Sequence, residues 1–152
     1  MDKSMRMTPI SGACLCGAIT VFVTSIAGPL MFCHCRECRK TAGAPFIAVL
    51  PVPVSAFQLD DGEQRLAAYR VTPLKARYFC STCGSPVYSQ RDGADTVRVR
   101  AGLLNLSADI PLGAHIYCAD AAAWDEVHDA LPRHAGIEPG RAPIVTNEDF
   151  SP

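Results

Sequence analysis

A mainly β domain of short antiparallel sheets, with one short helix towards its C-terminal end, is what three features of the sequence predict. Runs of four to seven β-branched and aromatic residues recur along the chain, as in Ala18–Thr24 (AITVFVT). Eleven glycines and twelve prolines punctuate these runs, too densely for long helices. Thr96-Val97-Arg98-Val99-Arg100 alternates apolar and polar residues, which predicts a half-buried strand with both arginines on one face.

Taken in order, residues 1–10 read as a flexible leader. Ser11–Gly17 places small residues around Cys14 and Cys16, a tight turn feeding the strand Ala18–Thr24. Gly28-Pro29 breaks that strand, and Leu30-Met31-Phe32 forms a short second one leading into Cys33-His34-Cys35. Thr41–Pro45 is a turn. Phe46–Leu50 is an apolar run that fits a buried strand ended by Pro51 and Pro53. Asp60-Asp61-Gly62-Glu63 suits a hairpin turn. Leu66–Val71 and Lys75–Phe79 are further strands, the second delivering Cys80. Val87-Tyr88-Ser89 continues beyond the Cys80/Cys83 pair, and Arg91–Asp95 turns the chain into the alternating segment. Ile116-Tyr117-Cys118 reads as a late strand. Asp120–Leu131 (DAAAWDEVHDAL) carries the helical pattern, capped by Asp120, ended by Pro132 and anchored in the core by Trp124. The organisation expected is therefore a leader, one domain over 11–132, and a surface tail over 133–152.

Composition narrows the function classes. The 152 residues suffice for one core, and their formal net charge of −1 disfavours nucleic acid or an anionic membrane as the main partner. No apolar run approaches the roughly 18 residues that span a bilayer. The first residues lack the apolar stretch of a secretory signal, so a reducing, cytoplasmic location is expected. In that setting eight cysteines argue for metal rather than disulfides.

The cysteines fall into ordered groups. Cys80-Ser81-Thr82-Cys83-Gly84 has the form of a zinc knuckle, two thiolates gripping one ion across a tight turn whose glycine accepts a left-handed backbone. Its partner is expected to be the Cys14/Cys16 pair, completing a four-thiolate structural site. Cys33, Cys35 and Cys38 remain one ligand short, and three readings compete for them. The site is closed by His34, His115 or Cys118; it is open, its fourth place left to water or substrate; or it is a redox group without metal. In an extended segment the His34 side chain points away from its neighbours, which makes it the least suitable ligand. If the site is open, three thiolates on one Zn2+ leave a net negative charge, so the ion is a weak generator of hydroxide and a better partner for sulfur. That points to a thiol co-substrate bound as a nucleophile. Arg39 and Lys40, with Arg36, offer charge for the carboxylate of a thiol such as glutathione, or else form a solvated basic face. His115 either faces the open site as acid or base or is a hydrogen-bonded structural histidine. Cys118 reads as a small buried apolar residue or a ligand. Tyr88 and Tyr117 are pocket or core aromatics.

Together these residues resemble the glutathione-dependent formaldehyde-activating enzyme family, which includes the centromere protein V relatives. The resemblance is carried by Gly12-x-Cys14-x-Cys16-Gly17, by Cys33-His34-Cys35-x-x-Cys38-Arg39-Lys40 with Gly43, and by Phe79-Cys80-x-x-Cys83-Gly84-x-Pro86-Val87-Tyr88. His115-Ile116-Tyr117 followed by Trp124 adds to it. The resemblance implies a β-tent fold, a structural zinc on Cys14, Cys16, Cys80 and Cys83, and a catalytic zinc on Cys33, Cys35 and Cys38. It implies carbon–sulfur lyase chemistry joining formaldehyde to glutathione as S-hydroxymethylglutathione, with small-molecule thiol and aldehyde as partners. Against this stands a non-catalytic zinc-stabilised binding module, in which every cysteine is structural.

Overall fold

In the computed structural model, which describes residues 8–140, ten strands form two sheets. The smaller sheet is antiparallel, in the order β1 (Ile10–Ala13), β2 (Thr20–Val23), β5 (Phe57–Asp60). The larger has seven strands, whose order begins at β10 (Leu112–Ile116), β3 (Leu30–Cys33), β4 (Ile47–Pro53) and β9 (Thr96–Arg100). It continues through β8 (Pro86–Arg91) and β7 (Lys75–Cys80) to β6 (Leu66–Thr72). Every pair in it is antiparallel except β10 with β3, so the expected antiparallel sheets hold with one parallel edge. Among the described residues no helix is long and apolar enough to cross a membrane.

The mainly β class is as the strand runs predict, but several elements differ. Ile10 is buried in β1 rather than part of a leader, because Ile10–Ala13 pairs with Thr20–Val23. Residues 1–7 of that leader lie outside the described residues. β4 runs on through Pro51 and Pro53. The Pro51 carbonyl accepts from Ala27 N–H at 2.8 Å, so the backbone edge where proline lacks its N–H faces away from β9. β5 has no counterpart in the expected elements. It pairs with β2, so the Asp60–Glu63 turn crosses from one sheet to the other instead of closing a hairpin.

The helix is also elsewhere. The one α-helix among the described residues is α1 (Arg36–Ala42), directly after the Cys33-His34-Cys35 segment. Cys35 caps its start, its sulfur accepting from Cys38 N–H at 3.3 Å, and Gly43 ends it in a left-handed conformation (φ 62°). Asp120–Leu131, the expected helix, forms only a single 3-10 turn over Cys118–Asp120 and then turns and extended chain. Its polar groups are met locally instead: the Asp129 carboxylate accepts from Leu131 N–H, and the Val127 and Asp129 carbonyls accept from Arg133, just beyond the segment. Trp124, expected in the core, is 73% exposed. An isolated twelve-residue helix with no apolar face to bury is marginal. The late strand stops at Ile116, because Tyr117 takes a left-handed conformation (φ 54°). Beyond Pro132 the chain does not leave the surface at once. It runs beside β10, His134 N–H donating to His115 O and Tyr117 N–H to Gly136 O. Residues 141–152 of the expected tail lie outside the described residues.

The main core lies between the sheets, where Ile19, Val21 and Val23 meet Leu50, Val52, Val87, Val97 and Val99. Each such side chain contributes about 1.5–3 kcal/mol on burial. The strand period of two sends the intervening residues of β4, β7 and β9 to the opposite face, and an irregularity in the β7–β8 pairing lets Ser89 join them although Val87 faces the core. That face carries a smaller cluster of Met31, Ile47, Val49 and Ile116, and it positions the site.

Candidate functional site

Two sulfur clusters emerge from this framework. The turn after β1 carries Cys14 and Cys16, and the turn after β7 carries Cys80 and Cys83. Each turn is closed in the same way: Gly17 N–H donates to Cys14 O, and Gly84 N–H to Cys80 O. Both glycines have positive φ, 80° and 77°, as the knuckle reading requires. Leu15 N–H donates to Ser85 Oγ at 3.0 Å and locks one turn to the other. The four sulfurs lie within 4.8 Å of one another. Cys14 to Cys16 is 3.6 Å and Cys16 to Cys80 is 3.7 Å. A tetrahedron with Zn–S bonds of about 2.3 Å has edges of about 3.8 Å, so the spacing fits one ion. Ile19 N–H donates to Cys14 Sγ, and the Ser85 hydroxyl holds Cys83 down at about 5, as suits a thiolate ligand.

The second cluster brings together Cys33, Cys35 and Cys38, whose sulfurs also lie within 4.8 Å. Cys33 ends β3, Cys35 caps α1 and Cys38 lies in its first turn, so a strand end and a helix start converge. No fourth cysteine, histidine or carboxylate among the described residues joins the group. Hydrogen bonds from Cys33 and Cys35, and then the Arg77 and Arg100 guanidinium groups, push the Cys38 thiol far down. Hydrogen bonds with Cys35 and Cys38 push Cys33 far up. Three such sulfurs ionise together only around a cation, and the donor set fits a soft one.

These sulfurs stand at a cavity of about 580 Å³. Its wall is the alternate face of the large sheet: Lys75 and Arg77 from β7, Ser89 from β8, Arg98 and Arg100 from β9, and Ile116 from β10. Tyr117 closes another side. Arg77 donates to Glu37, to Thr41 Oγ1 at 3.3 Å and to Cys38 Sγ at 3.4 Å, while Lys75 reaches Glu37 at 3.3 Å. Arg100 is 5% exposed and donates to Ser89 Oγ and the Arg98 carbonyl, both at 3.3 Å. Burial lowers it to about 10, with the neighbouring Arg77 acting in the same direction. Burial raises Tyr117 to about 12, so its phenol stays protonated.

The positive charge therefore comes from β7, β8 and β9, which supply Lys75, Arg77, Arg91, Arg98 and Arg100, and not from the residues after Cys38. Arg39 is partly buried and Lys40 exposed, and neither lines the cavity. His115 is likewise not at the cavity. Ile116 faces it, so His115 faces the opposite side of the sheet. There His115 is 3% exposed, its Nδ1 2.7 Å from His34 Nε2 and its Nε2 2.8 Å from Asp129 Oδ2. Its place is that of a hydrogen-bonded histidine behind the cysteine segment. His34, fully buried, points the same way. Cys118 stands apart from the trio, partly buried in its 3-10 turn, with its thiol raised by burial. Tyr88 stacks on Tyr78 at 4.4 Å between ring centres. Of the two tyrosines read as pocket or core aromatics, Tyr117 lines the cavity and Tyr88 does not. Sequence reasoning missed Arg77 as a cavity residue, whereas the alternation in Thr96–Arg100 placed Arg98 and Arg100 on one face without revealing what that face meets.

Comparison with known proteins supplies the relationship. No curated protein matches the chain. A crystal structure of a Rhodobacter sphaeroides protein is similar with a TM-score of 0.55 and 22% identity, over 65% of this chain and 91% of that one. At that identity the likeness shows the fold alone. The family described as glutathione-dependent formaldehyde-activating enzyme matches residues 9–120, from β1 to the 3-10 turn after β10 and so across both sulfur clusters. With most of its length matched, the chain belongs to the glutathione-dependent formaldehyde-activating enzyme family.

Proposed function

We propose that this protein is a zinc-dependent carbon–sulfur lyase acting on the adduct of a small thiol, glutathione or one like it, with an aldehyde. The observation that carries this reading is a three-sulfur cluster, with no fourth ligand among the described residues, opening onto a cavity walled by guanidinium groups. Cys14, Cys16, Cys80 and Cys83 hold a structural ion, and Cys33, Cys35 and Cys38 hold the second. Bound there, Zn2+ supplies a soft Lewis acid suited to sulfur. Arg77, donating to Cys38 Sγ, and Arg100 offset the negative charge that the sulfurs concentrate. The five cationic residues of the wall, Lys75, Arg77, Arg91, Arg98 and Arg100, outnumber its carboxylates Glu37, Asp95 and Asp120, and the excess favours an anionic thiol over a neutral one. Tyr117, protonated at neutral pH, gives its proton to the aldehyde oxygen as the carbon–sulfur bond forms, and the proton released by the thiol restores the phenol, so the new hydroxyl carries one proton and none is lost.

The test follows exchange between formaldehyde, glutathione and their adduct by NMR. Native protein should accelerate it, Cys38→Ser should reduce the acceleration to background, and Tyr117→Phe should reduce it on the order of a hundredfold. A folded Cys38→Ser protein with native rates would refute the proposal and leave a zinc-stabilised binding module.

A further inference from the structure

The geometry points to Arg98 as the residue that reads a carboxylate on the substrate, and to Glu138 as the chain's own occupant of that place until substrate displaces it. This rests on the reading of the cavity as a thiol-substrate site and adds what selects the thiol.

The other cations of the wall are already engaged. Arg77 is bound to Glu37, Thr41 and Cys38, Lys75 to Glu37, and Arg100 to Ser89 and a carbonyl, and Arg91 is not free either. Arg98 differs. It lines the cavity from β9, and its Nη1 is buried without a hydrogen-bond partner. A guanidinium presents a planar fork of donors that matches a carboxylate with two parallel bonds. Here Nη2 lies 3.6 Å from Glu138 Oε1, well beyond the roughly 2.8 Å of a fully formed charge-assisted bond. The fork is thus loosely held, beside the cavity that the three sulfurs face.

Glu138 is placed to yield. The segment that carries it is pinned beside β10 as far as Gly136, whose carbonyl accepts from Tyr117 N–H at 2.8 Å. Ala135 of that segment lines the cavity, and the carboxylate two residues beyond Gly136 lies within 3.6 Å of Arg98. A carboxylate from the chain on a cavity arginine occupies the position that a carboxylate on the substrate would take.

The experiment compares 3-mercaptopropionate with 2-mercaptoethanol, near in size and differing in the carboxylate, by their effect on the absorption of the cobalt-substituted protein. The native protein should bind the carboxylate thiol roughly tenfold more tightly, as one charge-assisted contact allows. Arg98→Gln should abolish that preference. Glu138→Gln should tighten 3-mercaptopropionate several-fold and leave 2-mercaptoethanol within about a factor of two. Equal changes for both thiols, or none in Glu138→Gln, would overturn the assignment. Propionate alone separates the two levels of the argument, since it should raise the melting temperature of the native zinc protein and not of Arg98→Gln. If neither thiol perturbs cobalt but propionate still distinguishes the two proteins, the anion subsite stands and the thiol reading falls. If propionate does not distinguish them, the subsite falls. Glu138→Gln changes a side chain that is 26% exposed and outside the sheets, so it carries the comparison even if Arg98→Gln does not fold.

Discussion

Cys38 and Cys83 both bring sulfur to a cluster, yet their loss should have different consequences. Cys83 joins two turns that belong to different sheets, and a structural zinc site contributes folding free energy directly. Cys83→Ser should therefore lower stability by several kcal/mol, read as a large drop in melting temperature or failure to fold. If the trio holds an ion as proposed, Cys38→Ser should leave a folded protein with one ion per chain where the native protein has two, read by metal analysis. His34 supports a pH prediction. Burial holds its pKa below the ordinary 6.5. The unfolded chain then takes up a proton that the folded chain refuses, so this contribution to stability is present above 6.5 and declines as pH falls below it. Denaturant midpoints between pH 7.5 and 5.5 should fall more for native protein than for His34→Gln; equal falls would contradict it. At this scale the cysteines were fully legible, because thiolate spacing is a local signal. The guanidinium groups were not: Arg77 and Cys38 are 39 positions apart and meet only through sheet pairing.

At the level of elements, α1 was obscured because the eye reads Cys33–Cys38 as ligands, while its cap is one of those ligands and its stop is Gly43. Gly43→Ala would force a side chain into the left-handed region and should destabilise by about 1 kcal/mol, shown by a small shift in the denaturant midpoint. Gly12 in β1 is a harsher case. A Cβ there would strike the carbonyl oxygen of Leu103, a backbone atom that cannot swing aside. Gly12→Ala should cost at least about 2 kcal/mol and loosen β1 from Leu104, visible as faster amide exchange at Asn105, which donates to Ser11 O. The strands were readable from β-branched runs and alternation. The helical pattern of Asp120–Leu131 misled because propensity acts only where a face can be buried, and Trp124 finds no core.

Across the whole molecule, the four-sulfur cluster fastens the small sheet to the large one, and the three-sulfur cluster stands on the far face of the large sheet at the cavity. The mainly β class followed from the sequence, but the parallel edge of β10 on β3 did not, since it joins segments separated by most of the chain. The central claim is that one ion is enclosed by four protein sulfurs while the other keeps a place for substrate. X-ray absorption at the zinc edge tests it directly. The zinc-loaded protein should show two ions per chain averaging about 3.5 sulfurs, four in one site and three in the other, rising to about 4 when glutathione is added. One ion per chain, four sulfurs before glutathione, or no change after it would contradict the account.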